Sequence, residues 1–222
     1  MKWRTFMKIV AINGGPRKNW NTATLLNKAL EGAASKGAET ELIHLYDLNY
    51  KGCISCFACK TKDGKNYGRC PIPDDLAQVF QKVEKADAVI LGSPIYLGRV
   101  TGEMAAFMDR FLFQYSAYTN PPQSLFPKKI HAGLIYTMNA TDEQAKEYGY
   151  GQHFMINENM MRRIFGNAES LSSYDTYQFN DYSKMVAPRF DPEKKALRRE
   201  EVFPKDCKTA FDMGVRFATE SV

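Results

Sequence analysis

The chain has 222 residues with no linker or charge block dividing it, so a single domain over residues 1–222, built on one sizeable core, is expected. Its formal charge of +5 comes from scattered Lys and Arg residues; this suits an anionic small molecule and argues against nucleic acid, which calls for a basic stripe interleaved with aromatics. The apolar run from Phe6 to Ile12 is too short for a membrane span and lacks a small-residue cleavage site, so no membrane partner and a cytoplasmic location are expected.

Residues 8–13 (KIVAIN) read as an apolar strand that runs through Gly14-Gly15-Pro16-Arg17-Lys18-Asn19-Trp20-Asn21-Thr22 into an amphipathic helix. A helix start leaves backbone N–H groups unpartnered and carries partial positive charge, so an anion at Thr22 would meet donors already aimed at it. Arg17 and Lys18 add charge, Gly14 and Gly15 permit close approach, and Asn19, Asn21 and Thr22 offer further hydrogen bonds. The stretch matches neither a Walker loop nor a G-x-G-x-x-G fingerprint, which leaves a mononucleotide as the favoured anion. An ordinary βα turn has the same composition.

The first helix is expected from Thr22 to about Ser35 and a second strand from Glu41 to Tyr46. A cysteine-rich insertion loop, 51–73, follows. It holds Cys53, Cys56, Cys59 and Cys70 in a C-x2-C-x2-C-x10-C spacing, which suits an iron–sulfur cluster. An all-thiolate zinc site, a redox disulfide and four reduced thiols are the competing readings. Asp74 is placed to cap a helix carrying Leu76, Val79, Phe80 and Val83. Residues 88–92 form a buried third strand, followed by a loop, Ser93 to Gly98, in which Pro94 stiffens the backbone and Tyr96 and Leu97 offer a flat apolar surface for a ring system. Such a loop also serves simply to end a strand and pack under a helix.

Thr101 caps a helix whose Met104, Phe107, Met108, Phe111 and Leu112 share a face, and residues 130–137 make the fourth strand. A helix from about Gln152 to Phe165, a fifth strand within 168–177, an irregular arm over 179–203 and a last helix from Lys205 to about Glu220 complete the chain. Cys207 falls on the apolar face of that helix and reads as core; His44, inside strand two, reads as structural. Asp109-Arg110 reads as helix packing or an interface ion pair. No Ser-His-Asp order or H-E-x-x-H spacing supports a hydrolase.

Strands alternating with helices predict an α/β fold: a doubly wound, five-stranded parallel sheet in the flavodoxin-like order 2-1-3-4-5, with helices on both faces. Ligands in such a sheet sit beyond the carboxyl ends of strands one and three, where the Gly14–Thr22 and Ser93–Gly98 loops would meet.

The chain resembles the NADPH-dependent FMN reductase and iron–sulfur flavoprotein group. The resemblance rests on residues 12–22, on Gly52-Cys53-Ile-Ser-Cys56-Phe-Ala-Cys59, on Gly92-Ser93-Pro94-Ile95-Tyr96, on Asp109-Arg110-Phe111 and on Tyr136-Thr137-Met138-Asn139. It implies that Gly15, Arg17, Lys18, Asn19, Asn21 and Thr22 hold the phosphate of FMN. Pro94, Ile95, Tyr96, Leu97 and Gly98 would line the isoalloxazine, with Met138 and Asn139 near the ring. Gly15 stands where the group usually carries Ser, and Trp20 where it usually carries Gly. The cluster-binding members resemble the cysteine pattern with a shorter final gap, which would make Cys53, Cys56, Cys59 and Cys70 ligands of a [4Fe–4S] cluster. The function so implied is an FMN-dependent oxidoreductase that passes electrons from NAD(P)H to a small-molecule or protein acceptor, the protein supplying position and electrostatics. A non-catalytic flavin electron carrier and a cysteine-based redox or metal sensor are the alternatives. The group's flavins are commonly completed at a dimer interface, so a homodimer or homotetramer is expected, with the arm reaching over a partner subunit.

Overall fold

The computed structural model describes residues 6–222. Strand β1 (Lys8–Asn13) lies inside the sheet between two neighbours, and its residues Ile9 to Ile12 are all apolar because both of its faces are covered. Ile9 and Ala11 point to one side, where α1 (Asn21–Ala34) and α7 (Phe203–Thr219) pack; Val10 and Ile12 point to the other, toward α2 (Leu76–Lys85), α3 (Gly102–Tyr115) and α5 (Tyr150–Phe165).

The parallel strands run in the order β2 (Glu39–His44), β1, β3 (Ala88–Tyr96), β5 (Ile130–Thr137), β6 (Gly166–Ser173). This is the expected order with one addition. Strand β3 runs on past Gly92 to Tyr96 and folds back as a hairpin onto β4 (Arg99–Val100). Leu97 and Gly98 form its turn, with φ of +50° and +85°. Positive φ at both positions is the type I′ geometry that a two-residue hairpin favours and that Gly98 accepts without strain.

Two helices depart from the sequence reading. A short α4 (Asp142–Glu147) is closed by a capping box between Thr141 and Gln144, and α6 (Pro192–Glu201) is capped by Asp191 within the segment expected to be an irregular arm. That arm lies on its own chain. Lys195 is buried and donates to the Asn139 side-chain oxygen at 2.6 Å and to Asp175, while Arg199 donates to Asn21 Oδ1 at 2.9 Å. Helices α1 and α7 approach so closely that a Cβ on Gly214 would stand 1.7 Å from the Ala29 carbonyl oxygen. Among the described residues no helix is long and apolar enough to cross a membrane.

Candidate functional site

The ends of β1 and β3 are joined by a bond from Gly14 N–H to the Gly92 carbonyl, 2.8 Å. Buried Asn13 folds the following turn: its Oδ1 accepts from Gly15 N–H at 2.9 Å, and its Nδ2 lies 3.2 Å from the Gly15 carbonyl and 2.9 Å from His44 Nδ1. Burial holds the His44 imidazole below its ordinary pKa, with Asp47 opposing and Lys18 assisting, so the ring stays neutral and accepts this bond.

Beyond this turn opens a shallow, solvent-open cleft. It brings together Gly15, Arg17, Asn21 and Thr22 from the first loop, Pro94, Ile95 and Tyr96 from β3, and Met138 and Asn139 from the end of β5. Four expected residues stay outside it: Lys18 pairs with Asp47 at 2.7 Å, Asn19 is exposed, and Leu97 and Gly98 are spent on the hairpin turn, where Leu97 is 97% exposed. Thr22 contributes differently from expectation, since its hydroxyl is buried against that of Thr137, 2.7 Å away, and ties the start of α1 to β5.

One wall of the cleft was not legible in the sequence. After β6, Thr176, Tyr177 and Gln178 cross the mouth of the first loop as a strap. The Tyr177 carbonyl accepts from Trp20 Nε1 at 3.1 Å and from Asn21 Nδ2 at 2.7 Å, and the Gln178 carbonyl from Arg17 Nη1 at 2.8 Å. The Arg17 guanidinium lies 4.4 Å over the Trp20 ring, so Trp20 serves as a platform for both cation and strap. The only advance signal was the cluster of Tyr, Ser and Thr in residues 168–177, which reads equally well as strand.

The cleft is polarised. At its α1 end, Trp20 supplies no side-chain cap, so the first-turn N–H groups have no side-chain acceptor. Arg199, its pKa lowered by burial, does not line the cleft; it lies 4.1 Å over the Phe203 ring and donates to Asn21 Oδ1 at 2.9 Å. The first-turn N–H groups fit a phosphate dianion. At the other end, Ile95, Tyr96 and buried Met138 offer the apolar surface that a planar ring requires.

The cysteine loop forms a second centre beside α3. Cys53 and Cys56 are exposed, Cys59 is buried and Cys70 is half-buried. Ser55 and Phe57, flanking Cys56, take φ of +54° and +55°, a conformation uncommon for residues with a side chain. Burial raises the Cys59 pKa, opposed by Lys60. Lys60 Nζ donates to the carbonyls of Phe113 and Ser116 at 2.5 and 2.7 Å and so fastens the loop to the end of α3. Arg110, buried, pairs with Asp74 through both terminal nitrogens; the N-cap of α2 is Asp75 and not the expected Asp74, whose Oδ1 accepts from Leu76 N–H at 3.2 Å. The ion pair expected at Asp109-Arg110 is therefore internal to the chain. Among the described residues no group of three or more His, Cys, Asp or Glu side chains converges closely enough to hold a metal ion, so the four thiols would have to draw together around one. Two buried donors favour an acceptor there: Arg110 Nε and Gln114 Nε2 have no partner, and Gln114 Oε1 accepts from Cys70 N–H at 2.9 Å.

The sequence profile of the NADPH-dependent FMN reductase family matches residues 7–162. An iron–sulfur flavoprotein of Methanocaldococcus jannaschii is 42% identical over 104 residues, 47% of this chain and 51% of that protein. A second, from Archaeoglobus fulgidus, is 41% identical over 104 residues, covering 47% and 48%. The chain thus spans about half the length of the curated relatives it matches. Among solved structures, an NAD(P)H:quinone oxidoreductase from Methanothermobacter marburgensis superposes with a TM-score of 0.69 at 15% identity, over 98% of this chain and 100% of that one. An FMN-dependent NADH-azoreductase of Bacillus anthracis, in complex with FMN, gives 0.63 at 14%, over 96% and 100%. At these identities the structures establish a shared fold.

Proposed function

The chain belongs to the NADPH-dependent FMN reductase family, and from that premise we propose that it binds FMN in the cleft between β1, β3 and β5 and acts as an NAD(P)H-dependent flavin oxidoreductase. The polarity of the cleft carries this reading: an uncapped helix N-terminus beside Arg17 at one end, Tyr96 and Met138 at the other. Bound there, FMN would supply the two-electron exchange with a nicotinamide and the discharge to an acceptor. Arg17, Asn21 and the first-turn N–H groups of α1 would hold the phosphate. Pro94, Ile95 and Tyr96 would orient one edge of the ring and Met138 would shield it from water. Lys18, Asn19, Leu97 and Gly98 have no part in this reading.

The cysteine loop extends the proposal to a second centre. Cys53, Cys56, Cys59 and Cys70 would hold an iron–sulfur cluster, supported by the printed names of the curated relatives and by the unpartnered donors beside Cys70. A cytoplasmic location and assembly as a homodimer or homotetramer belong to the same proposal. The test is a preparation made without oxygen, titrated with FMN and then mixed with NADH or NADPH. Stoichiometric uptake and rapid bleaching of the flavin are expected; FMN that binds but is not reduced by either nicotinamide favours a carrier, and refusal of FMN ends the proposal.

A further inference from the structure

A second recess adjoins the cleft at its apolar end and shares Ile95, Met138 and Asn139 with it. Its outer wall comes from two segments that the cleft does not use: Tyr148 and Tyr150, which flank the start of α5, and Arg189 and Phe190, which lead into α6. The Tyr148 and Tyr150 rings are 5.7 Å apart, and a Cβ on Gly98 would stand 3.1 Å from the Tyr150 ring, so the hairpin turn backs Tyr150. Phe190 is held in place as well. Lys195 Nζ lies 5.4 Å from the centre of its ring while donating to Asn139 Oδ1 at 2.6 Å, and the next residue, Asp191, caps α6.

The recess therefore offers three aromatic side chains and one charge, because Arg189 is the sole ionised side chain that lines it. Arg189 is exposed and in no ion pair among the described residues; its one hydrogen bond runs from Nη2 to the Tyr148 hydroxyl at 3.2 Å. Asp175 and Asp191 line the neighbouring recess, not this one, and are paired with Lys195 and Lys194. Accepting from Arg189 leaves the Tyr148 hydroxyl proton free to donate, so the two side chains offer donors to one oxyanion. Aromatic walls favour a flat apolar body, and a planar guanidinium favours a carboxylate or sulfonate at its edge.

We propose that this recess binds the electron acceptor, and that the acceptor is a planar aromatic molecule carrying one carboxylate or sulfonate. Tyr148, Tyr150 and Phe190 would pack on its rings, while Arg189 and the Tyr148 hydroxyl hold the anion. The inference rests on the flavin reading above, since the shared residues Ile95 and Met138 are those assigned to the flavin ring. For a quinone of this class, NAD(P)H and one proton would give NAD(P)+ and the hydroquinone, two electrons and two protons passing to the quinone. Arg189 and Phe190 lie beyond residues 7–162, where the family profile matches, so this selectivity is set outside the matched region.

The test needs no turnover. The full chain, loaded with oxidised FMN, is titrated with 2-naphthoate, a planar carboxylate that takes no electrons from it, and with the uncharged 2-naphthamide; the shift of the flavin absorption bands reports occupancy beside the ring. Wild type should bind 2-naphthoate about tenfold more tightly than 2-naphthamide, and Arg189→Gln should remove that preference by weakening the carboxylate alone. Arg189→Lys should recover part of it, and Phe190→Ala should weaken both probes alike. A wild-type chain that binds neither probe or both equally, or a preference that survives Arg189→Gln, overturns the inference and leaves the flavin reading standing. So does an Arg189→Gln variant that loses affinity for NADPH and not for 2-naphthoate, which would give the charge to the phosphates of the nicotinamide. A wild-type chain that takes up no FMN overturns the flavin reading and this inference together.

Discussion

Arg17 separates binding from folding more cleanly than any other residue of the cleft. Its side chain is exposed, and its contacts are one bond to the Gln178 carbonyl at 2.8 Å and the face of Trp20 at 4.4 Å. An exposed cation–π contact contributes about 0.5–1 kcal/mol and the hydrogen bond about 1 kcal/mol, so Arg17→Gln should cost the cofactor-free protein no more than about 2 kcal/mol. Toward a phosphate dianion the same guanidinium gives a charge-assisted hydrogen bond of about 1.5–3 kcal/mol. At about 1.4 kcal/mol per tenfold, FMN affinity should fall by roughly 10- to 150-fold. Arg17→Lys, with its charge but not its planar fork, should fall between wild type and Arg17→Gln. Quenching of flavin fluorescence gives the dissociation constant, and denaturant unfolding without FMN gives the stability. An FMN affinity within threefold of wild type, or a stability loss as large as the binding loss, would refute the placement of the phosphate beside Arg17.

Three further outcomes follow from the packing. Gly214→Ala drives a Cβ into the Ala29 carbonyl and forces α1 from α7, at a cost of about 3 kcal/mol or more, whereas Gly151→Ala, in open space on α5, should be neutral or stabilise by up to about 1 kcal/mol; denaturant unfolding of the pair reads both signs. Lys195→Met strands Asp175 and the Asn139 oxygen; because the Asp175 side chain is 29% exposed and can regain water, the loss should lie near about 3 kcal/mol, at the lower end for a broken buried pair, and Asp175→Asn in the same chain should recover part of it. The lowered pKa of His44 means that the unfolded chain takes up a proton that the folded chain refuses. Its contribution is complete above about pH 6.5 and is lost as the pH falls through the folded value, so wild type should lose more stability between pH 7.5 and 5.5 than His44→Gln; equal losses would show that the ring is free to protonate in the fold.

The sheet was legible because its chemistry is local. Apolar runs such as Ile9–Ile12 and the helical stripe Leu25, Leu26, Ala29, Leu30 are set by burial, and the five-strand order follows once helices alternate with strands. The turn from β1 into α1 was legible for the same reason, since Gly, Pro and Asn announce a turn opening onto a helix. The hairpin at Leu97–Gly98 was harder to read: Ser-Pro followed by Tyr and Gly looks like a loop, and only the return strand Arg99–Val100 turns Ile95 and Tyr96 into strand. Helix α6 was obscured by polarity. Its ten residues carry a single buried side chain, Lys195, which no apolar periodicity announces, although Asp191-Pro192 is a plain start signal.

That hidden helix changes how the cleft is held. The loops after β1, β3 and β5 all fall within residues 7–162, where the family profile matches, whereas the strap and α6 lie beyond it. Yet α6 touches both ends of the cleft: Arg199 reaches Asn21 beside the start of α1, and Lys195 reaches Asn139 after β5 and Asp175 at the root of the strap. The strap in turn takes the side-chain donors of Arg17, Trp20 and Asn21. A phosphate drawing on Arg17 or Asn21 must therefore compete with the Tyr177 and Gln178 carbonyls of a strap whose root, at Asp175, is held by Lys195. Because two carbonyls accept three donors at ordinary lengths, releasing the strap would cost only a few hydrogen bonds of about 1 kcal/mol each, less than a phosphate dianion gains from the same donors. The balance favours the anion, and a substitution in α6, outside the matched region, should alter its affinity.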